Sequence, residues 1–232
     1  MYLRHGDYNI CRIPDDGNCL IEACLFRNTF GKECGTIRNL IAASIVVKVL
    51  GLSVPPIDMD NDRLYDQVTE LIDIDGDTLA PETVIEDLKR YESGAFEFAE
   101  SEDLVSPLNE LMVDDENPVK RRKKKTQKTV YDKLFEPIIS EFMIDKNHKL
   151  TYRDVYQIVV KAITAEGSWI GTEMLDFLAS ILRSNIHVYF PNKKEAGQYS
   201  FLQQYGEQYQ NIIFLAFHPF ELDVDVTETQ TR

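Results

Sequence analysis

The chain has 232 residues, with 39 acidic and 25 basic side chains and a formal charge of −14. Its 44% apolar content supports a packed core and excludes wholesale disorder, and its acidity excludes a role in coating nucleic acid. The charge is uneven: residues 55–119 hold 20 Asp and Glu against 3 Lys and Arg, a net of −17, while the rest of the chain stands at +3. Taken in chain order, Ile10–Ile13 alternates like a short strand. Pro14-Asp15-Asp16-Gly17-Asn18 is a dense turn signal, and an apolar run with helical spacing follows from Cys19 to Phe26. Thr36 caps a predicted second helix to Leu50, with Ile37, Leu40, Ile41, Ser44, Ile45 and Val49 on one face and Gly51 as its stop.

Within the acidic stretch, Leu64, Val68, Leu71 and Ile72 predict one helix, and residues 81–91 predict another with Val84, Ile85 and Leu88 inward. The turn Asp73–Asp77 lacks the ligand periodicity and terminal Glu of a calcium loop, so it is read as a solvated acidic turn. Residues 92–130 show no sustained periodicity and read as linker. Leu134, Ile138, Ile139 and Phe142 resume helical spacing. A further helix is predicted from Tyr152 to Ile163, with Val155, Ile158, Val159 and Ala162 on one face, and another from Glu173 to Leu182. Strands are predicted at Asn185–Phe190, Asn211–Phe217 and Phe220–Val226. Helices early and strands late give an α+β class. The division expected is a discontinuous domain of residues 1–54 and 130–232, an acidic, partly helical insertion at 55–119 and a basic linker at 120–129.

The apolar run Leu40–Leu50 is too short, and carries Lys48, for a bilayer span. The first residues include Arg4, His5 and Asp7 and no apolar h-region, and the four cysteines lack metal spacing. An intracellular setting with reduced thiols is therefore expected, cytoplasmic and with a route to the nucleus. That route is suggested by Lys120–Lys128, where seven of nine residues are Lys or Arg; an import receptor is the expected partner, against the plainer reading of a solvated charged loop. Neither a membrane nor nucleic acid is expected as a partner, since the basic run lacks interleaved aromatics.

Cys19 is the candidate nucleophile, against the plainer reading of a buried structural cysteine after a turn, because it opens a helix directly after a tight polar turn. A helix N-terminus favours thiolate. Gly17 permits close approach of a substrate, and the amides around Gly17, Asn18 and Cys19 can hold a developing oxyanion. Asp16 is near enough to orient an imidazole or to pin the turn. Cys11, Cys24 and Cys34 read as packed thiols. A cysteine nucleophile needs a base, most often histidine. His5 lies near the N-terminus, His148 in the polar turn 145–149, and His187 within a strand, where packing is its expected role. His218 lies between two predicted strands, a position where catalytic residues are displayed, and is the best candidate.

These residues carry a resemblance. Asp16-Gly17-Asn18-Cys19-Leu20, followed by Glu22-Ala23, resembles the nucleophile motif of the OTU (ovarian-tumour) family of cysteine proteases, which are deubiquitinases. Thr36-Ile37-Arg38 resembles the next family block. Tyr156, Gly167–Gly171 with Trp169, Glu173–Ala179 and Asn185–Tyr189 resemble the later blocks in order. The resemblance covers roughly residues 8–50 and 150–226. It departs at Ile21, where the family commonly has Phe, and in the length between the second helix and Tyr156. An ungapped alignment of Ile212–Ala216 puts Phe220 at the family's histidine; a turn shorter by two residues puts His218 there, followed by Pro219.

The resemblance implies a papain-type α+β fold, with a small central sheet flanked by helices. It also implies hydrolysis of the (iso)peptide bond after the C-terminal Gly-Gly of ubiquitin or a ubiquitin-like protein. Cys19 is the implied nucleophile, His218 the base and Asp16 the acid; Gly17 and Asn18 supply the oxyanion site, and Trp169 is core or channel wall. No metal and no organic cofactor are implied. The alternative is an inactive relative that keeps the fold as a ubiquitin-binding or nuclear adaptor module.

Overall fold

A computed structural model describes residues 2–4, 13, 17–25, 33–54, 63–91, 134–145, 149–165, 168, 170–191, 198–206 and 208–216. The architecture is α+β. Strand β1 is Tyr2–Arg4. Helices α1 (Cys19–Leu25), α2 (Cys34–Leu50), α3 (Leu64–Asp75) and α4 (residues 84–91) follow. Then come α5 (Glu136–Asp145), α6 (Tyr152–Thr164), a 3-10 turn at Thr172–Met174 and α7 (Leu175–Ile181). Strands β2 (Ser184–Pro191), β3 (Gln198–Tyr205) and β4 (Asn211–Ala216) complete the described chain.

Helix α2 is the axis of the molecule. Its apolar residues were expected on one face, yet Ala42, Ala43 and Val46 are buried along with Ile37, Leu40, Ile41 and Ile45. A helix buried on every side is one wrapped by neighbours; α2 packs against α1, α3, α6 and α7. It begins at Cys34, ahead of Thr36, and the Glu33 side chain makes no cap. It closes at Gly51, with the Leu52 amide donating to the Val47 carbonyl at 3.0 Å.

The described part of the acidic stretch shares this core. Leu64, Val68 and Ile72 of α3 and Val84 and Leu88 of α4 are buried in one apolar cluster with α2 and α6. Tyr156 of α6 and Thr69 of α3 share a hydroxyl hydrogen bond at 2.9 Å. The acidic turn after α3 is stitched to the start of α6: Arg153 N donates to the Gly76 carbonyl, Tyr152 N to that of Thr78, and Ala80 N to that of Leu150. The expected linker at 92–130, including Lys120–Lys128, lies outside the described residues.

The sheet order is β1-β3-β2-β4, with β1–β3 and β2–β3 antiparallel and β2–β4 parallel. Strands β2 and β4 lie where periodicity predicts them, within one residue at each end. Strands β1 and β3 were not predicted. The strand expected at Ile10–Ile13 is not seen at Ile13, which is outside any strand; its other residues and the strand expected at Phe220–Val226 lie outside the described residues. On one side of the sheet, Ile186, Val188, Tyr205 and Leu215 join the helical core. On the other, His187, Tyr189, Phe201 and Phe214 form an aromatic cluster. Asn185 pins the approach to β4: its amide donates to the Tyr209 carbonyl at 2.8 Å, and the Tyr209 N–H donates back to Asn185 Oδ1 at 3.2 Å.

Candidate active site

Gly17, Asn18 and Cys19 enter α1 in a fixed conformation. Gly17 is buried and has φ +86°, a left-handed conformation that L side chains rarely adopt, so a glycine is required there. The Asn18 carbonyl accepts from the Glu22 amide at 2.9 Å, which makes Asn18 the cap ahead of Cys19. Cys19 is the first residue of α1 and is half-buried. Helix α1 packs against α2 and β4.

Arg38 of α2 holds this turn. It is only 6% exposed, and a buried charge is costly unless its hydrogen bonds are made. All five guanidinium N–H groups find acceptors. Nε donates to Asn18 Oδ1 at 2.8 Å, and Nη2 to the Gly17 carbonyl at 2.9 Å. The same Nη2 reaches the Ser168 carbonyl at 2.7 Å, while Nη1 donates to Ser168 Oγ at 2.8 Å and to the Ile163 carbonyl. One side chain thus joins the turn before Cys19 to the end of α6 and the segment leading to Trp169.

Comparison with protein-family models, curated proteins and solved structures finds no match.

Of the residues singled out from sequence, Gly17, Asn18 and Cys19 are brought together as described. Asp16, Trp169 and His218 lie outside the described residues, as do His5, His148 and Cys11. The described chain reaches Ala216 at the end of β4, two residues before His218. Cys24 is buried, and desolvation pushes its thiol up to about 12, as befits a packed cysteine. Cys34 is half-buried at the start of α2. His187 sits edge-on to Phe201 and Phe214, with its Nδ1 buried and lacking a hydrogen-bond partner among the described residues. Among the described residues, no group of His, Cys, Asp and Glu is arranged to hold a metal ion, and no helix is long and apolar enough to cross a membrane.

Sequence reasoning placed Arg38 in a family block but gave it no role. Its signal was a cation among the residues that open a mostly apolar helical run. Glu173 was also missed as a titrating group. Desolvation pushes its carboxyl up to about 7, against weaker opposing hydrogen bonds from its own amide and that of Gly171. Gly171 N donates to Oε1 at 3.2 Å, and Oε2 is buried with no partner among the described residues. The carboxylate lies so close that a Cβ at Gly171 would fall 2.3 Å from Oε2.

Proposed function

We propose that this chain is a cysteine-type deubiquitinase, cleaving the (iso)peptide bond after the C-terminal Gly-Gly of ubiquitin or a ubiquitin-like protein. One observation carries the reading: a half-buried Cys19 begins a helix directly after a Gly17–Asn18 turn locked by a buried arginine. An acyl-transfer nucleophile needs an accessible thiol beside rigid amide donors, and a half-buried Cys19 after a turn held by Arg38 supports that reading. The packing of α1 against β4 supports His218 as the base, because the chain leaves β4 two residues before it.

In the reaction, His218 takes the proton of the Cys19 thiol, oriented by Asp16. The thiolate attacks the glycine carbonyl, and amides of the Gly17–Cys19 turn hold the oxyanion. His218 returns the proton to the departing amine. Water, deprotonated by the same imidazole, then releases the acyl group from Sγ. Trp169, which follows Ser168 in the sequence, is proposed as a wall of the substrate channel. The acidic surface assists approach of ubiquitin's basic tail by steering.

The test pairs a ubiquitin C-terminal electrophile with a fluorogenic ubiquitin amide. Wild type should be labelled at Cys19 and should turn over. Cys19→Ala should lose both, and His218→Ala should lose turnover. Labelling at another cysteine would overturn the nucleophile. Full activity in His218→Ala would overturn the base. Ubiquitin binding without labelling or turnover in wild type would favour the inactive adaptor.

A further inference from the structure

Arg38 does more than fill space, and its contacts bear on one peptide group in particular. The Gly17 carbonyl and the Asn18 N–H belong to the same planar unit, and in a trans peptide they point in opposite directions. Arg38 Nη2 holds that carbonyl at 2.9 Å, so the Asn18 N–H is turned away from the guanidinium. A glycine peptide can rotate about its flanking bonds at little steric cost, and Gly17 at φ +86° is such a position. Without the arginine, the 17–18 peptide loses the restraint that this hydrogen bond supplies. Nε fixes Asn18 a second time through Oδ1, and the remaining three N–H groups anchor the guanidinium to Ile163 and Ser168.

We infer that Arg38 is a positioning residue for acyl transfer at Cys19: by gripping the Gly17 carbonyl it keeps the Asn18 amide N–H aimed as an oxyanion donor. The inference rests on the reading of Cys19 as an acyl-transfer nucleophile. It acts through geometry rather than charge, because five acceptors spread around a planar fork cannot be met by the three donors of one ammonium. Lysine at this position keeps the cation and loses the aim. A mere packing role, or stabilisation of the thiolate by a nearby cation, would give a different pattern.

Two reactions of the full chain separate these cases, both read at Cys19 by peptide mass spectrometry. A p-nitrophenyl acetate ester acylates the thiolate: the S–C bond forms, the carbonyl oxygen carries the charge in transit, and p-nitrophenolate leaves as the C–O bond breaks. Iodoacetamide alkylates the same thiolate, expelling iodide with no oxyanion formed. Arg38→Lys and Arg38→Gln should each slow acylation on the order of 100-fold, the scale of losing one oxyanion donor. Alkylation should stay within about twofold, since that reaction needs no such donor. Equal falls in both rates, or full acylation in Arg38→Lys, would overturn the inference. Ser168→Ala removes one anchor without touching the turn, and covers the case in which Arg38 variants fail to fold. It should slow acylation by about 2- to 10-fold, the value of one hydrogen bond, with alkylation unchanged; unchanged acylation would overturn the inference. Hydrolysis of a ubiquitin amide by wild type is measured alongside. If it is absent while the acylation ratio responds, the deubiquitinase reading falls and the clamp stands. If it is present while the ratio is unmoved, the clamp falls and the reading stands.

Discussion

Glu173 couples the protein's stability to pH. Its carboxyl ionises near 4.5 in the unfolded chain and is pushed up to about 7 in the folded one by burial. Between those values the folded state keeps a proton that the unfolded state has lost. Stability therefore falls as pH rises through the window from 4.5 to 7, and stays lowered above it. The whole difference corresponds to about 3 kcal/mol. Glu173→Gln keeps the shape of the neutral acid, so it should stabilise the fold by about 1–3 kcal/mol at pH 8 and change little near pH 4.5. Urea denaturation at both values checks this, and an equal effect at each would exclude ionisation as the cause. Neither Glu173 nor the role of Arg38 was legible in the sequence. A glutamate at a helix start reads as an ordinary dipole partner. Three of the five acceptors of Arg38, on Ile163 and Ser168, lie 125 and 130 residues downstream, far beyond the reach of any local pattern. What was legible at this scale was the turn at Gly17–Asn18 and the helix that begins at Cys19, because turn chemistry and helix entry are written in adjacent residues.

Elements with strong periodicity were read well, and α6 shows why. Its buried residues Val155, Ile158, Val159 and Ala162 fall on the predicted face. Its start is fixed by a reciprocal cap: Thr151 Oγ1 accepts from the Asp154 amide at 3.3 Å, and Asp154 Oδ2 accepts from the Thr151 amide at 2.9 Å. Thr151→Ala should lower stability by about 1 kcal/mol, and Thr151→Ser should restore most of it. Chemical denaturation of the pair is the check; a loss in the serine variant as large as in alanine would assign the effect to the methyl group instead. Strand β3 was missed for the opposite reason. Its sequence QYSFLQQY has no clean alternation, and a bulge opposite Val188 and Tyr189 shifts its register, leaving Phe201 and Leu202 exposed. Strand β1 has only three residues, too few for any period to register.

At the scale of the molecule, charge and packing divide the chain differently. Residues 55–119 stand apart by composition, yet Val68, Ile72, Val84 and Leu88 are buried in the core that holds α2 and α6. Composition reports what faces water, and the apolar minority of an acidic helix decides what it packs on. Leu88→Ala should therefore cost about 2–5 kcal/mol, and it should shift one cooperative unfolding transition rather than create a second. Calorimetry distinguishes the two outcomes, since an independent unit would melt separately and leave the main transition in place. The same long-range wiring has a consequence for synthesis. Tyr2 pairs with Ser200, and Arg38 waits for Ile163 and Ser168. At roughly 5–20 residues per second, the far half of the arginine's setting leaves the ribosome on the order of ten seconds after the near half. A nascent or prematurely terminated chain carries the thiol of Cys19 without the frame that aims its neighbouring amide. Under the proposed chemistry, hydrolysis is then a property of the finished polypeptide, and incomplete copies are silent toward the ubiquitin pool around them.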